Sequence, residues 1–366
     1  MSSPIYLDFN ASAPAKPQVL ELMFDVLKET GNASSIHFYG RNARKHVEHA
    51  RSQIADALNV GPQQVVFNSG ATEGNNTILN GFRDKRVLVS AVEHPSILQS
   101  CISNPEKIAV TKDGVVDLDA FEKQIATGET PALVSVMLVN NETGVIQPVA
   151  EIAAIAKKYG ALVHSDAVQA FGRIPFTRES LGVDFITLSS HKIAGPHGAG
   201  AICFAAKAPL PKLIFGGGQE RRQRAGTENI AAIAGFGLAA ELAIADMPEF
   251  QKLETLRNRL ESTLKQNDKI IIYGENVPRV ANTTSFSMQG SPSETQLMNY
   301  DLSGIAVSAG SACSSGTIKP SGVLLAMGAS EDDAKCAIRV SLGWNSTEKD
   351  VEIFLAAWDR TRTMSS

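Results

Sequence analysis

The sequence predicts an α/β protein, with a large domain on a mainly parallel sheet and a smaller α+β domain. Three observations carry this reading. Short apolar runs alternate with amphipathic stretches through most of the chain, as where crossover helices join parallel strands. Several of those runs are apolar at nearly every position, which suits strands covered by helices on both faces. After about residue 245 the texture shifts to charged helical stretches and shorter strands of mixed character.

In order along the chain, Val47, Ala50, Ile54 and Leu58 recur at helical spacing, and Gly61-Pro62 ends that helix. A strand over 65–67 runs into Ser69-Gly70-Ala71-Thr72 and a second helix. Further strands are predicted at 86–90, 133–138, 161–164, 184–189 and 200–204. A long charged helix over 248–266 precedes strands at 269–273, 283–288 and 337–342, and a last helix begins near Thr347. The expected division puts residues 13–247 in the large domain and residues 1–12 with 248–366 in the small one.

Composition narrows the function. The 366 residues are 43% hydrophobic and 20% charged with a net charge of −4, the balance of a soluble protein with a large core. No long basic run is present, so a dedicated nucleic-acid binder is not expected. The N-terminus has neither a basic nor an apolar leader region, and no stretch reaches the ~18 apolar residues of a membrane span. Cys101, Cys203, Cys313 and Cys336 are scattered without a Cys-x-x-Cys pair. Reduced thiols in a cytoplasmic protein are expected, rather than a disulfide framework or a metal site.

The polar motifs sit at predicted strand ends. In Ser189-Ser190-His191-Lys192, a lysine placed after an apolar strand can form a Schiff base with a carbonyl cofactor if its amine is partly neutral. Ser189 and His191 offer donors suited to a phosphate; taken alone, the motif reads equally as a surface loop. Asp166 ends another apolar run, where it can face a pyridinium nitrogen or simply cap the next helix. Gln169 follows within reach of a ring hydroxyl. Ala71 and Thr72 open a helix whose N–H groups form a phosphate cradle, or an ordinary helix start. His94 can stack on an aromatic cofactor or stay solvated. Asn141 can meet a substrate carboxylate, or belong to a plain Asn-Glu-Thr-Gly turn. Each motif is weak by itself, but ligands of open α/β sheets bind at the carboxyl edge where all five meet.

Two further residues lie in the second domain. Arg339 occupies a strand of alternating character, so it needs an anionic partner: a substrate carboxylate or a structural salt bridge. Cys313 sits in Ser308-Ala309-Gly310-Ser311-Ala312-Cys313-Ser314-Ser315-Gly316, among small residues with no apolar pattern. That setting suits a nucleophile better than a buried structural thiol. Cys203, inside an apolar run, reads as buried.

With these residues in place, the chain resembles the cysteine desulfurases of the class V aminotransferase-like, fold-type I family of pyridoxal-phosphate enzymes. The resemblance runs from Tyr6-Leu7-Asp8-Phe9-Asn10 to Arg339-Val340-Ser341-Leu342-Gly343. It includes Ser-Gly-Ala-Thr-Glu, Val-Asn-Asn-Glu-Thr-Gly, His-Ser-Asp-Ala-Val-Gln, Ser-x-His-Lys-x-x-Gly-Pro and the glycine-rich segments around Gly217 and Gly226. The Gly-Ser-Ala-Cys loop is similar to that of the nitrogen-fixation and housekeeping iron–sulfur branch. The fold implied is a mainly parallel seven-stranded sheet with a smaller α+β domain.

The resemblance implies a role for each residue. Lys192 carries pyridoxal 5'-phosphate, Asp166 faces its ring nitrogen, Gln169 bonds its ring hydroxyl and His94 stacks on it and serves catalysis. Ala71, Thr72, Ser189 and His191 hold the phosphate, with Thr227 contributed across a homodimer. Asn141 and Arg339 bind the carboxylate of L-cysteine, whose sulfur passes to Cys313 and leaves alanine. The persulfide then goes to an acceptor protein of iron–sulfur assembly or another thiolation pathway. The sequence ends at Ser366, short of the tail by which longer relatives dock the iron–sulfur scaffold, so the acceptor is left unassigned.

Overall fold

Strands buried at every position, such as Val65–Asn68, Val87–Ser90 and Phe185–Ser189, satisfy their backbone polar groups only by pairing with one another. The computed structural model describes residues 4–100, 104–310 and 319–364, so Cys101 and Cys313 lie outside the described residues. In chain order the strands are β1 (Ile5–Tyr6), β2 (Val65–Asn68), β3 (Val87–Ser90), β4 (Glu106–Ile108), β5 (Leu133–Ser135), β6 (Leu162–Asp166), β7 (Phe185–Ser189), β8 (Gly200–Phe204), β9 (Ile270–Ile272), β10 (Thr283–Met288), β11 (Ile305–Ala306), β12 (Ser308–Ala309) and β13 (Ala337–Ser341).

Strands β2 to β8 form one seven-stranded sheet in the order β2-β8-β7-β6-β5-β3-β4. Only β8 runs antiparallel to its neighbours. The carboxyl ends of β2, β3, β5, β6 and β7 therefore share one edge, and the α/β class expected from the sequence is present. The helix Phe38–Leu58 buries Val47, Ala50, Ile54 and Leu58, and Asn59 stops it in the left-handed region at φ 53°. The helix Ile230–Ala245 is apolar around most of its circumference because it packs against both Pro17–Lys28 and Phe38–Leu58. Among the described residues, no single helix is long and apolar enough to cross a membrane.

A second, antiparallel sheet has the order β12-β13-β10-β9. Leu260, Phe286, Tyr300, Ile338 and Phe354 pack together between it and its helices. The N-terminal segment belongs beside this sheet: β1 pairs with β11, and Asp8 bridges to Ser341. It then crosses to the large sheet, where the Ala13 and Lys16 amides donate to the carbonyls of His191 and Ala194.

Three sequence expectations change. The helix predicted over 248–266 is two helices, Met247–Gln251 and Leu253–Leu264, separated at Lys252. The first buries no residue and the second buries Leu253, Leu260 and Leu264, while Lys252 between them keeps helical backbone angles. The strand predicted over 133–138 pairs on both sides only to Ser135. Beyond it the Val136 and Leu138 amides still donate to His164 and Asp166 of β6. The edge strand β4 was not anticipated, because only Ile108 of its three residues is buried.

One buried ion pair ties the large sheet to the loop that follows β8. Arg51 donates from Nη1 to Glu220 Oε2 at 2.7 Å and from Nη2 to Oε1 at 2.9 Å, and the Phe67 amide donates to Oε2 at 2.8 Å. Both side chains are almost fully buried. Glu220→Ala leaves the buried guanidinium with only the half-exposed Glu48 carboxylate and the Val65 carbonyl, and is predicted to cost about 3 kcal/mol in urea denaturation. An Arg51→Met/Glu220→Leu double variant is predicted to lose clearly less than Glu220→Ala.

Candidate active site

The shared strand edge opens into a cavity of about 810 Å³ between the two sheets. Its walls include Ala71, Thr72, His94, Asn141, Asp166, Gln169, Ser189, His191, Lys192 and Arg339. Ten residues expected to form the site thus come together from widely separated parts of the chain. Thr227 is exposed and is not part of this wall. Cys313 lies outside the described residues.

Lys192 follows β7 at the end of a single tight turn, Ser190–Lys192. Its Nζ donates to the carbonyl oxygens of Asn10 at 2.7 Å and Ala11 at 2.8 Å. Burial pushes its amine down to about 7, helped by the nearby cations Arg339 and Arg173 and opposed by Asp8 and Asp166. A substantial neutral fraction near pH 7 makes the amine a nucleophile, which the sequence reading required.

Asp166 ends β6. Its Oδ1 accepts from the Val168 amide at 3.0 Å, as a turn cap does, while Oδ2 accepts from Asn75 Nδ2 at 2.8 Å. Asp166 therefore caps a turn, where the sequence reading had allowed a helix start, and it also lines the cavity. His94 caps the short helix Pro95–Leu98, its Nδ1 accepting from the Ser96 amide at 3.1 Å. In a neutral ring that bond leaves the proton on Nε2. Burial lowers the His94 pKa, Asp166 opposes the shift and Lys192 reinforces it. The adjacent Glu93 is fully buried, which pushes its carboxyl up to about 8 against bonds from Ser90 Oγ and the Met137 amide.

At the end of β2, Gly70 takes φ +148°, a conformation open to glycine, and the helix Ala71–Asn80 starts there with its N–H groups at the cavity. Glu73 is drawn aside by Arg224 Nε at 3.0 Å and by Ser69, so its charge is already paired. Burial, reinforced by the neighbouring Lys192 and His197, brings His191 down to about 4 and keeps it neutral at pH 7. Gln169 donates from Nε2 to the Asn10 carbonyl at 3.0 Å, and its buried Oε1 has no partner among the described residues.

Arg339 departs from the expectation of an open carboxylate binder. Its Nη2 donates to Asp8 Oδ1 at 2.7 Å and its Nη1 to the Asn141 carbonyl at 3.1 Å. Its buried Nε has no partner among the described residues. The salt bridge weighed as the alternative is formed, and one donor is left over.

Four supporting residues had no assigned role in the sequence reading. Asn10 accepts from Arg173 Nη1 at 2.7 Å and donates to Thr283 Oγ1 at 2.9 Å, while its carbonyl serves both Lys192 and Gln169. Asn75 orients Asp166, and Asp8 orients Arg339. The only available signal was that Asp8 and Asn10 stood in a motif of the resemblance.

The donor set suits a substituted pyridine carrying an aldehyde, a hydroxyl and a phosphate. A nucleophilic lysine, a buried carboxylate, an orphan acceptor on Gln169 and a helix start with threonine and serine meet each of those groups in turn. The sequence profile of the family described as aminotransferase class V matches residues 5–354. The chain belongs to this family. A "Cysteine desulfurase IscS" from Dictyoglomus turgidum is 38% identical, with 98% of this chain and 95% of that protein covered. A "Cysteine desulfurase" from Sinorhizobium fredii is 40% identical, covering 95% and 94%. Among solved structures, a NifS-like protein from Rickettsia africae superposes with a TM-score of 0.93 at 39% identity over 98% and 99% of the two chains. A structure described as "SspA in complex with cysteine" gives 0.79 at 27% over 92% and 98%. Enzymes of this family depend on pyridoxal phosphate, and the residues of the cavity fit that cofactor.

The depressed lysine makes a pH prediction. Below about 7 the Lys192 amine is protonated and unreactive, and above it the amine is neutral. The rate at which cofactor-stripped protein takes up the aldehyde is predicted to rise with a midpoint near 7 rather than near the usual lysine value. Arg339→Gln, which removes a neighbouring positive charge, is predicted to move that midpoint upward, as stopped-flow absorbance would read.

Proposed function

We propose that this chain is a pyridoxal-phosphate-dependent cysteine desulfurase that moves the sulfur of L-cysteine onto Cys313 and releases L-alanine. The observation that carries this reading is the convergence of Lys192 and Asp166 on one cavity in a chain similar to cysteine desulfurases over nearly its full length. The relative crystallised with cysteine supports the same substrate.

Lys192 holds the cofactor, and the bound cofactor supplies an electron sink for the substrate's carbon skeleton. With the cofactor bound, Asp166, steadied by Asn75, would meet the ring nitrogen and Gln169 the ring hydroxyl. Ala71, Thr72, Ser189 and His191 would hold the phosphate, and His94 would stack on the ring. Arg339 and Asn141 receive the substrate carboxylate, with the spare Nε of Arg339 as the added donor. Once cysteine is bound, the Lys192 amine takes the α-proton. The Cys313 thiolate attacks the substrate sulfur; an S–S bond forms as the Cβ–S bond breaks. The electron pair stays on the carbon skeleton, which takes up protons to become alanine. The persulfide then passes to an acceptor protein, with iron–sulfur assembly as its destination.

The same reading makes the enzyme a cytoplasmic homodimer in which Thr227 completes the partner's phosphate site. Leu20, Phe24 and Leu27 are exposed on the helix Pro17–Lys28, with Ile36, Phe38 and Tyr39 exposed on the segment that follows. Surface of this kind is usual where a partner binds. Glu228 and Asn229, next to Thr227, line a small pocket with Leu27 and Gly31, so Thr227 lies beside that face. The two largest hydrophobic clusters fall, Val280 excepted, on either side of a division between residues 13–247 and the rest, which supports a cofactor-binding domain and a small domain.

Purified protein is expected to release sulfide and alanine from cysteine in the presence of a reductant. Cys313→Ala is expected to lower turnover by roughly two orders of magnitude or more, and full retention of activity would sink the proposal. Borohydride is expected to fix the cofactor to wild-type protein but not to Lys192→Ala. Arg339→Ala is expected to raise KM for cysteine roughly ten- to hundredfold through loss of a charged hydrogen bond.

A further inference from the structure

A second cavity, of about 570 Å³, shares the wall residue Lys192 with the first. The N-terminal crossing, the loops after β6 and β13 and the start of the helix Leu253–Leu264 enclose it. Apart from Lys192, none of its lining residues has a part in the chemistry above. Phe9, Phe171, Leu253 and Leu342 give it a buried apolar wall, and the partly exposed Trp344 also lines it. Trp344 Nε1 donates to the Pro14 carbonyl at 3.1 Å, which fixes that ring in place.

Arg173 is set into this apolar wall and is only 3% exposed. Its Nη1 donates to Asn10 Oδ1 at 2.7 Å, and its Nη2 comes no nearer than 3.5 Å to the Lys192 carbonyl. Asn10 Oδ1 also accepts from Asn282 Nδ2 at 3.2 Å, so one neutral oxygen serves two donors. The other buried arginines among the described residues, Arg51, Arg257 and Arg339, each have a carboxylate: Glu220, Glu254 and Asp8. Arg173 has none among the described residues. A guanidinium enclosed so deeply is costly unless an anion meets it. The acids that line the cavity do not supply that anion, because Asp246 is paired with Lys16 and Glu249 with Lys252. The Lys192 amine is turned to the Asn10 and Ala11 carbonyls. One uncompensated cation is thus left in a largely apolar enclosure.

We propose that this cavity is a second ligand site, which takes a small organic carboxylate with an apolar or aromatic body. The carboxylate meets Arg173, whose planar fork suits it, and the body lies against Phe171, Leu253 and Trp344. A single unpaired cation matches a single negative charge, which favours a monocarboxylate over a phosphate ester. Size and lining agree with this occupant: small-molecule sites are mostly apolar cavities of this order of volume with a few placed polar groups.

The test titrates cofactor-loaded enzyme with hydrocinnamate and, as its neutral counterpart, hydrocinnamyl alcohol, followed by calorimetry and tryptophan fluorescence. The chain has two tryptophans, and Trp358 packs in the core of the small sheet. A fluorescence change on adding hydrocinnamate that disappears in Trp344→Phe therefore reports this cavity. Wild type is expected to bind hydrocinnamate with a dissociation constant on the order of 1 mM or tighter. The alcohol is expected to bind roughly tenfold more weakly, through loss of a charged hydrogen bond. Arg173→Gln, which keeps a donor for Asn10, is expected to bind the acid and the alcohol alike. Leu256→Trp, which fills the cavity and leaves Arg173 in place, is expected to bind neither by calorimetry. Arg339→Gln, in the first cavity, is expected to bind hydrocinnamate within about twofold of wild type. Wild type that does not bind the acid saturably, or binds acid and alcohol equally, overturns the proposal. Binding lost in Arg339→Gln and kept in Arg173→Gln also overturns it, by placing the carboxylate in the first cavity. Should Arg173→Gln fail to fold, Leu256→Trp decides: undiminished binding of hydrocinnamate there overturns the second site.

Discussion

Residues 8–11 cross from the small sheet to the large one, and the geometry of the cavity depends on that crossing. Asp8 fixes Arg339 and accepts from Ser308 Oγ, and Arg339 and Asn10 both donate to the Asn141 carbonyl, so the second sheet is tied to the strand edge of the first. Two residues later, the carbonyls of Asn10 and Ala11 take both observed bonds of the Lys192 amine. The identity of those acceptors matters. A carboxylate in direct contact would hold the lysine charged, whereas peptide carbonyls orient it with only a dipole. Burial and two neighbouring guanidinium groups then bring the amine to about 7.

Charge is distributed around the cavity by the same economy. Arg173 is buried with no ion-pair partner among the described residues, and burial draws its guanidinium down to about 9. It bonds Asn10 Oδ1 instead, so its charge acts on Lys192 through a neutral amide. Burial pushes Glu93 up to about 8 and Glu142 up to about 7, and each is held by hydroxyl or amide donors rather than by a direct ion pair. Near neutral pH these two acids contribute less negative charge to the cavity wall than their number implies.

Rigid attachment accounts for the precision of the edge. Three of the strand ends, those of β6, β3 and β5, are followed by a short turn capped by a side chain: Asp166 on Val168, His94 on Ser96 and Asn140 on the Glu142 and Thr143 amides. These local bonds satisfy the orphan amides beyond each strand and leave the remaining face of each group toward the cavity. The same residues that make ordinary turns are the ones that line the site, which is why each motif alone was ambiguous between the two readings.

The amino-acid sequence by itself determined the parallel sheet, because strands buried on both faces must be apolar along their length. It determined which polar residues would gather, because each one followed such a strand. It also singled out Cys313 as the thiol without a packing role, on composition alone. Only the tertiary structure decided what holds those residues: Asn10 for Lys192, 182 positions away, Asn75 for Asp166, and Asp8 for Arg339, which the sequence had left between a ligand and a salt bridge. The reason is physical: burial leaves a periodic mark on neighbouring residues, while a hydrogen bond between distant segments depends on where the chain returns and leaves no local pattern.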